Sequence, residues 1–236
     1  MRLDKLLSNM GKGTRSEIKT YIRRKAVTVD GEIAVSGSQI VDADHAVVTL
    51  LGERVVYRRF VYLMLHKPEG VISATEDQRH TTVIELVGEE YAHYALFPVG
   101  RLDIDTTGLL ILTNDGELAH NLLAPKKGIP KTYEVTLAAP ISPAQIEALE
   151  AGVTLEDGTL CAPARVQVRA NKNPQIDLTI TEGKFHQVKR MMEAVGNRVT
   201  ALKRIRMNRL DLDESLEPGA YRELTEAEMA SLCFGL

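Results

Sequence analysis

Residues 100–116 read Gly-Arg-Leu-Asp-Ile-Asp-Thr-Thr-Gly-Leu-Leu-Ile-Leu-Thr-Asn-Asp-Gly. Arg101, Asp103, Asp105, Thr106 and Thr107 crowd against Gly108, ahead of an apolar run at 109–112 that closes in Asn114-Asp115-Gly116. An unbroken apolar run ended by such a turn signal predicts a buried strand. The charged cluster then falls in a loop at the strand's mouth. A carboxylate held there can attack an electrophilic carbon or remove a proton, and the strand behind keeps it in place. Asp and Thr before a strand are also ordinary turn residues. Position alone does not choose between Asp103 and Asp105.

Three further stretches carry polar groups that such a carboxylate would use. Lys67-Pro68-Glu69-Gly70 follows the apolar run 61–65 and reads as a strand-ending turn, with Lys67 as a structural lysine. Residues 131–137, Lys-Thr-Tyr-Glu-Val-Thr-Leu, alternate as a half-buried strand. By itself Tyr133 would be a packing tyrosine there. Residues 181–192 run Thr-Glu-Gly-Lys-Phe-His-Gln-Val-Lys-Arg-Met-Met into a helix ending at Gly196. Phe185, Val188, Met192 and Val195 form its expected core stripe, while Lys189 and Arg190 point elsewhere. His186 taken alone is a structural histidine. From Lys184 to Arg209 there are eight Lys and Arg and one Glu, a basic patch suited to a nucleic-acid backbone.

Around these lie the elements that must position them. Residues 95–99 are a strand entering the central loop, 82–87 a short helix or turn, and 117–123 a helix. Ser142 and Pro143 start a helix to Ala151. Strands are expected at 162–168 and 176–180, joined by the loop 171–174. Thr225 and Glu228 cap a last helix.

Residues 1–50 read as a separate small unit. Thr14 and Glu17 form a capping box opening a helix to Arg24, on which Arg15, Lys19 and Arg23 share one face. Val27-Thr28-Val29 is a strand and Asp30-Gly31 a hairpin turn. Residues 51–59 are polar and are taken as a linker, with 60–236 as the second domain.

Composition narrows the function classes. The chain has 236 residues, 44% of them apolar, and a net charge of -3. Residues 1–60 hold 11 Lys and Arg against 7 Asp and Glu, and the remainder 18 against 25. A basic N-terminal part on an acidic body predicts an anionic partner at that end. Cys161 and Cys233 lie far apart with no ligand-spaced neighbours, which speaks against a zinc site or disulfide framework and suits a reducing cytoplasm. No apolar stretch approaches a membrane span, and the charged N-terminus is unlike a secretory signal. No dinucleotide fingerprint or phosphate loop is present.

The order Gly100-Arg101-Leu102-Asp103-x-x-Thr106-x-Gly108-Leu109-Leu110 resembles the catalytic motif of bacterial pseudouridine synthases that modify ribosomal RNA. Lys67-Pro68-x-Gly70, Lys131-x-Tyr133 and Glu182-Gly-Lys-Phe-His-Gln-Val-Lys-Arg-Met191 resemble the same family's other motifs, in its order. Residues 1–50 are similar to the RNA-binding domain named after ribosomal small-subunit protein four, although Lys25 stands where that domain often has glycine. The resemblance implies an α+β fold: a small N-terminal RNA-binding domain, and a larger synthase domain with a mixed, mainly antiparallel sheet flanked by helices. It implies that Asp103, rather than Asp105, is the essential carboxylate. Tyr133 would stack on the target base and relay a proton, Val188 would pack under the base, and Lys189 would pair with Asp103. Arg101 would fill the space a flipped base vacates, with Lys67, Arg190, Arg15, Lys19 and Arg23 as further RNA contacts. It also implies a cofactor-free, metal-free isomerisation of one uridine in 16S RNA, free or in a small-subunit assembly intermediate, by a monomer. A paralogue acting on 23S RNA and a non-catalytic ribosome-assembly factor are the alternatives.

Overall fold

The computed structural model describes residues 1–169 and 174–236. Most of the loop expected at 171–174 therefore lies outside the described residues. Two compact units are formed, Met1–Val61 with Gly88–Leu96, and Tyr62–Val87 with Phe97–Leu236.

The first unit pairs two helices, α1 (Leu3–Asn9) and α2 (Arg15–Arg23), with a four-stranded sheet. Its strands are β1 (Val27–Val29), β2 (Glu32–Ile33), β3 (Val48–Leu50) and β4 (Glu53–Val55), in the order β2-β1-β3-β4. The Thr14–Glu17 capping box is present, so α2 starts where the sequence says. Ile18 and Ile22 turn inward onto Leu3, Leu6 and Leu7, which leaves Arg15, Lys19 and Arg23 on the exposed face. Lys25 sits at φ +57°, the left-handed conformation that glycine takes most easily.

The expected linker 51–59 needs correction at Glu53–Val55. Leu51 and Gly52 both have positive φ, +53° and +86°, the twist of a two-residue hairpin turn. The chain doubles back and β4 pairs along β3, Val48 opposite Val55. Its backbone groups are satisfied by the ladder, and Val55 joins the small core. The 3-10 helix Glu89–Tyr94 also belongs to this unit, with Tyr94 packed on the same core.

The second unit is built on a nine-stranded sheet. Its strands are β5 (Tyr62–Lys67), β6 (Phe97–Pro98), β7 (Thr106–Thr113), β8 (Lys131–Leu137), β9 (Arg165–Val168), β10 (Gln175–Ile180), β11 (Val199–Met207), β12 (Leu210–Asp211) and β13 (Tyr221–Glu223). The main path runs β13-β5-β7-β11-β8-β10-β9, with β12 on β11 and β6 on β7. Only the β7–β11 pair is parallel among the described pairings. Four helices, α3 (Gly116–Leu123), α4 (Pro143–Ala151), α5 (Gln187–Ala194) and α6 (Glu226–Leu232), accompany it. Leu109, Leu110, Ile111 and Leu112 are all 0% exposed, which makes β7 the buried spine. Met64, Leu109 and Ile111 pack with Leu118 and Leu122 of α3.

Gly108 explains how two strands meet beside the central loop. Its φ is +104°, and a Cβ there would lie 2.2 Å from the Arg204 carbonyl oxygen of β11. Only a residue without a side chain permits that approach. The strand expected at 95–99 shortens to Phe97–Pro98, because Ala95 turns through φ +50°. Phe185 leaves the predicted core stripe. It is 75% exposed and stacks on His186, because the helix starts only at Gln187. Among the described residues, no helix is long and apolar enough to cross a membrane.

Candidate active site

The loop ahead of β7 is pinned from several sides. Thr106 N–H donates to the Asp103 carbonyl at 3.0 Å, closing a turn over Ile104 and Asp105. Gly70 N–H donates to the Ile104 carbonyl at 2.8 Å. Ser73 Oγ accepts from Leu102 N–H and donates to Leu102 O, both at 3.0 Å. Lys67 lies underneath, 0% exposed, with Nζ donating to the carbonyls of Pro68 (3.0 Å), Ile104 (3.4 Å) and Thr106 (2.9 Å). Burial pushes its pKa down to about 8, against the pull of Asp105, Asp103 and Glu69. The expectation that Lys67 meets RNA is thereby corrected. It is spent on backbone carbonyls inside the fold.

Above this frame Asp103 faces two groups from the start of α5. Lys189 Nζ lies 3.0 Å from Oδ2, and His186 Nε2 lies 3.6 Å from Oδ1. Lys189 also donates to Asp105 Oδ1 at 2.5 Å. Burial works to lower the Lys189 pKa, but the hydrogen bonds to Asp105 and Asp103 outweigh it and the net shift is upward. The Lys189 hydrogen bond holds Asp105 below the usual carboxylate range. One ammonium therefore serves two carboxylates, and stays charged while doing so.

Tyr133, Val188 and Arg101 line the same cleft as Asp103, with Thr106, His186 and Leu202. Tyr133 and Val188 are nearly buried, at 8% and 4% exposure, and Arg101 is exposed at the mouth. Thr106 is 1% exposed and its hydroxyl has no partner. Strands β7 and β8 lie either side of β11, so Asp103 and Tyr133 approach from opposite flanks of one strand.

Other expected contacts are placed elsewhere. Arg190 pairs with Asp157 at 2.5 Å and points at the Phe185 carbonyl. Half of the cations in the basic patch from Lys184 to Arg209 are paired with carboxylates. Lys184 pairs with Glu182, Arg206 with Asp211, Lys189 with the two aspartates, and Arg204 is buried. Arg15, Lys19 and Arg23 stay on the open face of α2 in the first unit. Sequence reasoning passed over Asp105 as an acceptor for Lys189, His186 as a neighbour of Asp103, and Ser73. The short spacing from His186 to Lys189, one helical turn, was the signal available for the second of these. Ser73 carried none. Among the described residues no group of three or more His, Cys, Asp or Glu is arranged to hold a metal ion.

A buried sheet with a carboxylate loop at one strand mouth, faced by a lysine and a strand tyrosine, is the frame on which comparison with known proteins bears. The family model described as RNA pseudouridylate synthase matches residues 61–194, and the S4 domain model matches residues 1–47. The chain is 54% identical to an uncharacterized RNA pseudouridine synthase of Bacillus subtilis, YtzG, over 97% of each chain. It is 42% identical to ribosomal small subunit pseudouridine synthase A of Yersinia pestis, over 98% of each, and 40% identical to the Escherichia coli protein of that name, over 98% of this chain and 100% of that one. A solved structure titled as a pseudouridylate synthase superposes with a TM-score of 0.69, at 37% identity, over 98% of this chain and 99% of that one. The chain belongs to the RNA pseudouridine synthase family, with an N-terminal S4 domain.

Proposed function

We propose that Asp103 is the carboxylate that breaks the uridine glycosidic bond, in a small-subunit ribosomal RNA. The 3.0 Å contact of Lys189 with Asp103, in a cleft also lined by Tyr133 and Val188, is the observation that carries this. The reaction detaches the base from carbon 1′, turns it, and rejoins it through carbon 5. No electron or group donor enters the balance, so the reaction is written without a cofactor. The carboxylate either attacks carbon 1′ or removes a sugar proton to give a glycal. Both need it ionised in a pocket that a base has cleared of water. Lys189 places a positive charge 3.0 Å from that carboxylate.

The uridine leaves its stack at a cost of a few kcal/mol. Tyr133 offers a face for the base, where stacking contributes about 1–3 kcal/mol, and Val188 closes the cleft beside it. Tyr133 is also near enough to this cleft to relay the carbon 5 proton. Arg101 at the mouth suits the space left in the RNA. Phe185, exposed and stacked on His186 at a centroid distance of 3.7 Å, adds an aromatic surface beside that mouth. Arg15, Lys19 and Arg23 on α2 supply sequence-independent phosphate contacts.

The names of the two relatives called small subunit pseudouridine synthase A favour one uridine of 16S RNA, free or in an assembling subunit. On this reading the chain acts as a monomer in the cytoplasm, with residues 1–61 as the RNA-binding part and the unit of the nine-stranded sheet as the synthase. Incubating 16S transcript with native chain and with Asp103→Asn, then mapping pseudouridine, tests it. The native chain is expected to modify one position and the variant none. Retained product in the variant removes Asp103 from the mechanism.

A further inference from the structure

Beside the Asp103 cleft is a second cavity of about 440 Å³, within the range of small-molecule sites. Arg101, Tyr133, Gly183 and Lys184 line both. Its inner wall is one face of the sheet. Lys131 and Tyr133 stand two apart on β8, and Arg204 of β11 is directly opposite Tyr133, so all three share that face. Lys131 is 7% exposed and Arg204 is 2% exposed.

Two cations are thus buried on one surface, and their local hydrogen bonds do not account for them. Lys131 Nζ donates to one carbonyl, Ile129, at 3.0 Å. Arg204 Nε donates to the Leu109 carbonyl at 2.8 Å, and its Nη2 has no partner. Neither pairs with a carboxylate among the described residues. The one carboxylate lining the cavity, Glu182, is already taken by Lys184, by Gln187 Nε2 and by the Ala162 N–H, the last two at 3.0 Å. Lys67 is the internal contrast, a buried lysine whose ammonium fills three carbonyls. Burial, and then the Arg204 charge, push the Lys131 pKa down to about 8. Two like charges out of water with spare donors cost stability unless an anion joins them.

We propose that Lys131 and Arg204 form an anion subsite that takes a phosphate of the RNA backbone next to the target uridine. The inference rests on the reading of Asp103 and Tyr133 as the uridine site, since the shared Tyr133 wall puts the nearest substrate anion in this cavity. The subsite fixes the sugar–phosphate chain while the base turns over, a step in which the base is bonded to nothing. Lys131 thereby gains a role beyond packing under the tyrosine strand.

The test measures two quantities on the full chain. One is the melting temperature against inorganic phosphate, with chloride at equal ionic strength as control. The other is the slope of log affinity for 16S transcript against log salt. Native chain is expected to gain melting temperature with phosphate. Lys131→Gln is expected to lose most of that gain, to bind transcript about tenfold more weakly, and to flatten the slope by about 0.7–0.9. Lys131→Arg is expected to restore both. Should Lys131→Gln not fold, Arg204→Met takes the same measurements. An unchanged slope and an unchanged phosphate response in the folded variant overturn the subsite. Retained pseudouridine in Asp103→Asn is a separate result, which strikes the uridine-site reading and leaves the salt slope to be judged by itself.

Discussion

Lys189 joins the two aspartates of the central loop, and its removal separates their roles. Lys189→Met leaves Asp103 without its ammonium while keeping the stem that packs beside it. The single-turnover rate on 16S transcript is expected to fall by about 100-fold or more, the scale of losing one electrostatic partner of a reacting group. Asp105→Asn is expected to cost far less, because Lys189 keeps its 3.0 Å bond to Asp103. The pH dependence of that second bond has a definite sign. Asp105 titrates below its ordinary 3.8 in the folded chain because Lys189 donates to it. Its contribution to stability is therefore full above that value and lost as the pH falls through the folded pKa. Lys189 is shifted upward on balance, so its part is full below the ordinary 10.5 and lost only as the pH rises through its folded pKa. Denaturation of native chain and Asp105→Asn is expected to give a constant difference from about pH 5 to pH 9 that shrinks in stronger acid.

Elements hold these residues where they are, and two substitutions below the loop probe that. Lys67→Met removes the ammonium from three carbonyls, of which that of Thr106 is buried. Unsatisfied buried acceptors cost about 1–3 kcal/mol, and the Asp103 turn loses its floor. Chemical denaturation is expected to show a loss of that size, with a fall in rate larger than the fraction unfolded explains. Gly108→Ala meets a harder obstacle, the Arg204 carbonyl at 2.2 Å together with φ +104°. Separating β7 from β11 or straining the backbone is expected to cost about 3 kcal/mol or more. A melting temperature within a degree of native would show that the two strands part more easily than their register implies.

At the scale of the whole molecule, charge is divided as the two units are divided. The N-terminal unit carries Arg15, Lys19 and Arg23 on an exposed helix face, whereas in the larger unit Arg169, Lys184, Lys189, Arg190, Arg206 and Arg222 are paired with carboxylates. Replacing Arg15, Lys19 and Arg23 together with Gln touches none of the small core. It is expected to leave the melting temperature unchanged and to flatten the salt dependence of transcript binding by about 2–3. A slope equal to that of the native chain would remove α2 from the RNA contact.

What could be read from the chain alone followed from local rules. The 109–112 run, the alternation at 131–137, two capping boxes and the Ser142 N-cap each depend on neighbours a few residues apart. The motif order singled out Asp103, Tyr133 and Lys189 by resemblance. The partners of each charge were another matter. That Lys67 and Arg204 are buried, that Arg190 meets Asp157, and that β11 runs between β7 and β8 are set by the tertiary fold. Residues 184–209 looked like a basic surface because their sequence is basic. The pairing of Val199–Met207 inside the sheet turned alternate side chains inward, and it took the tertiary fold to decide which cations meet solvent and which meet carbonyls.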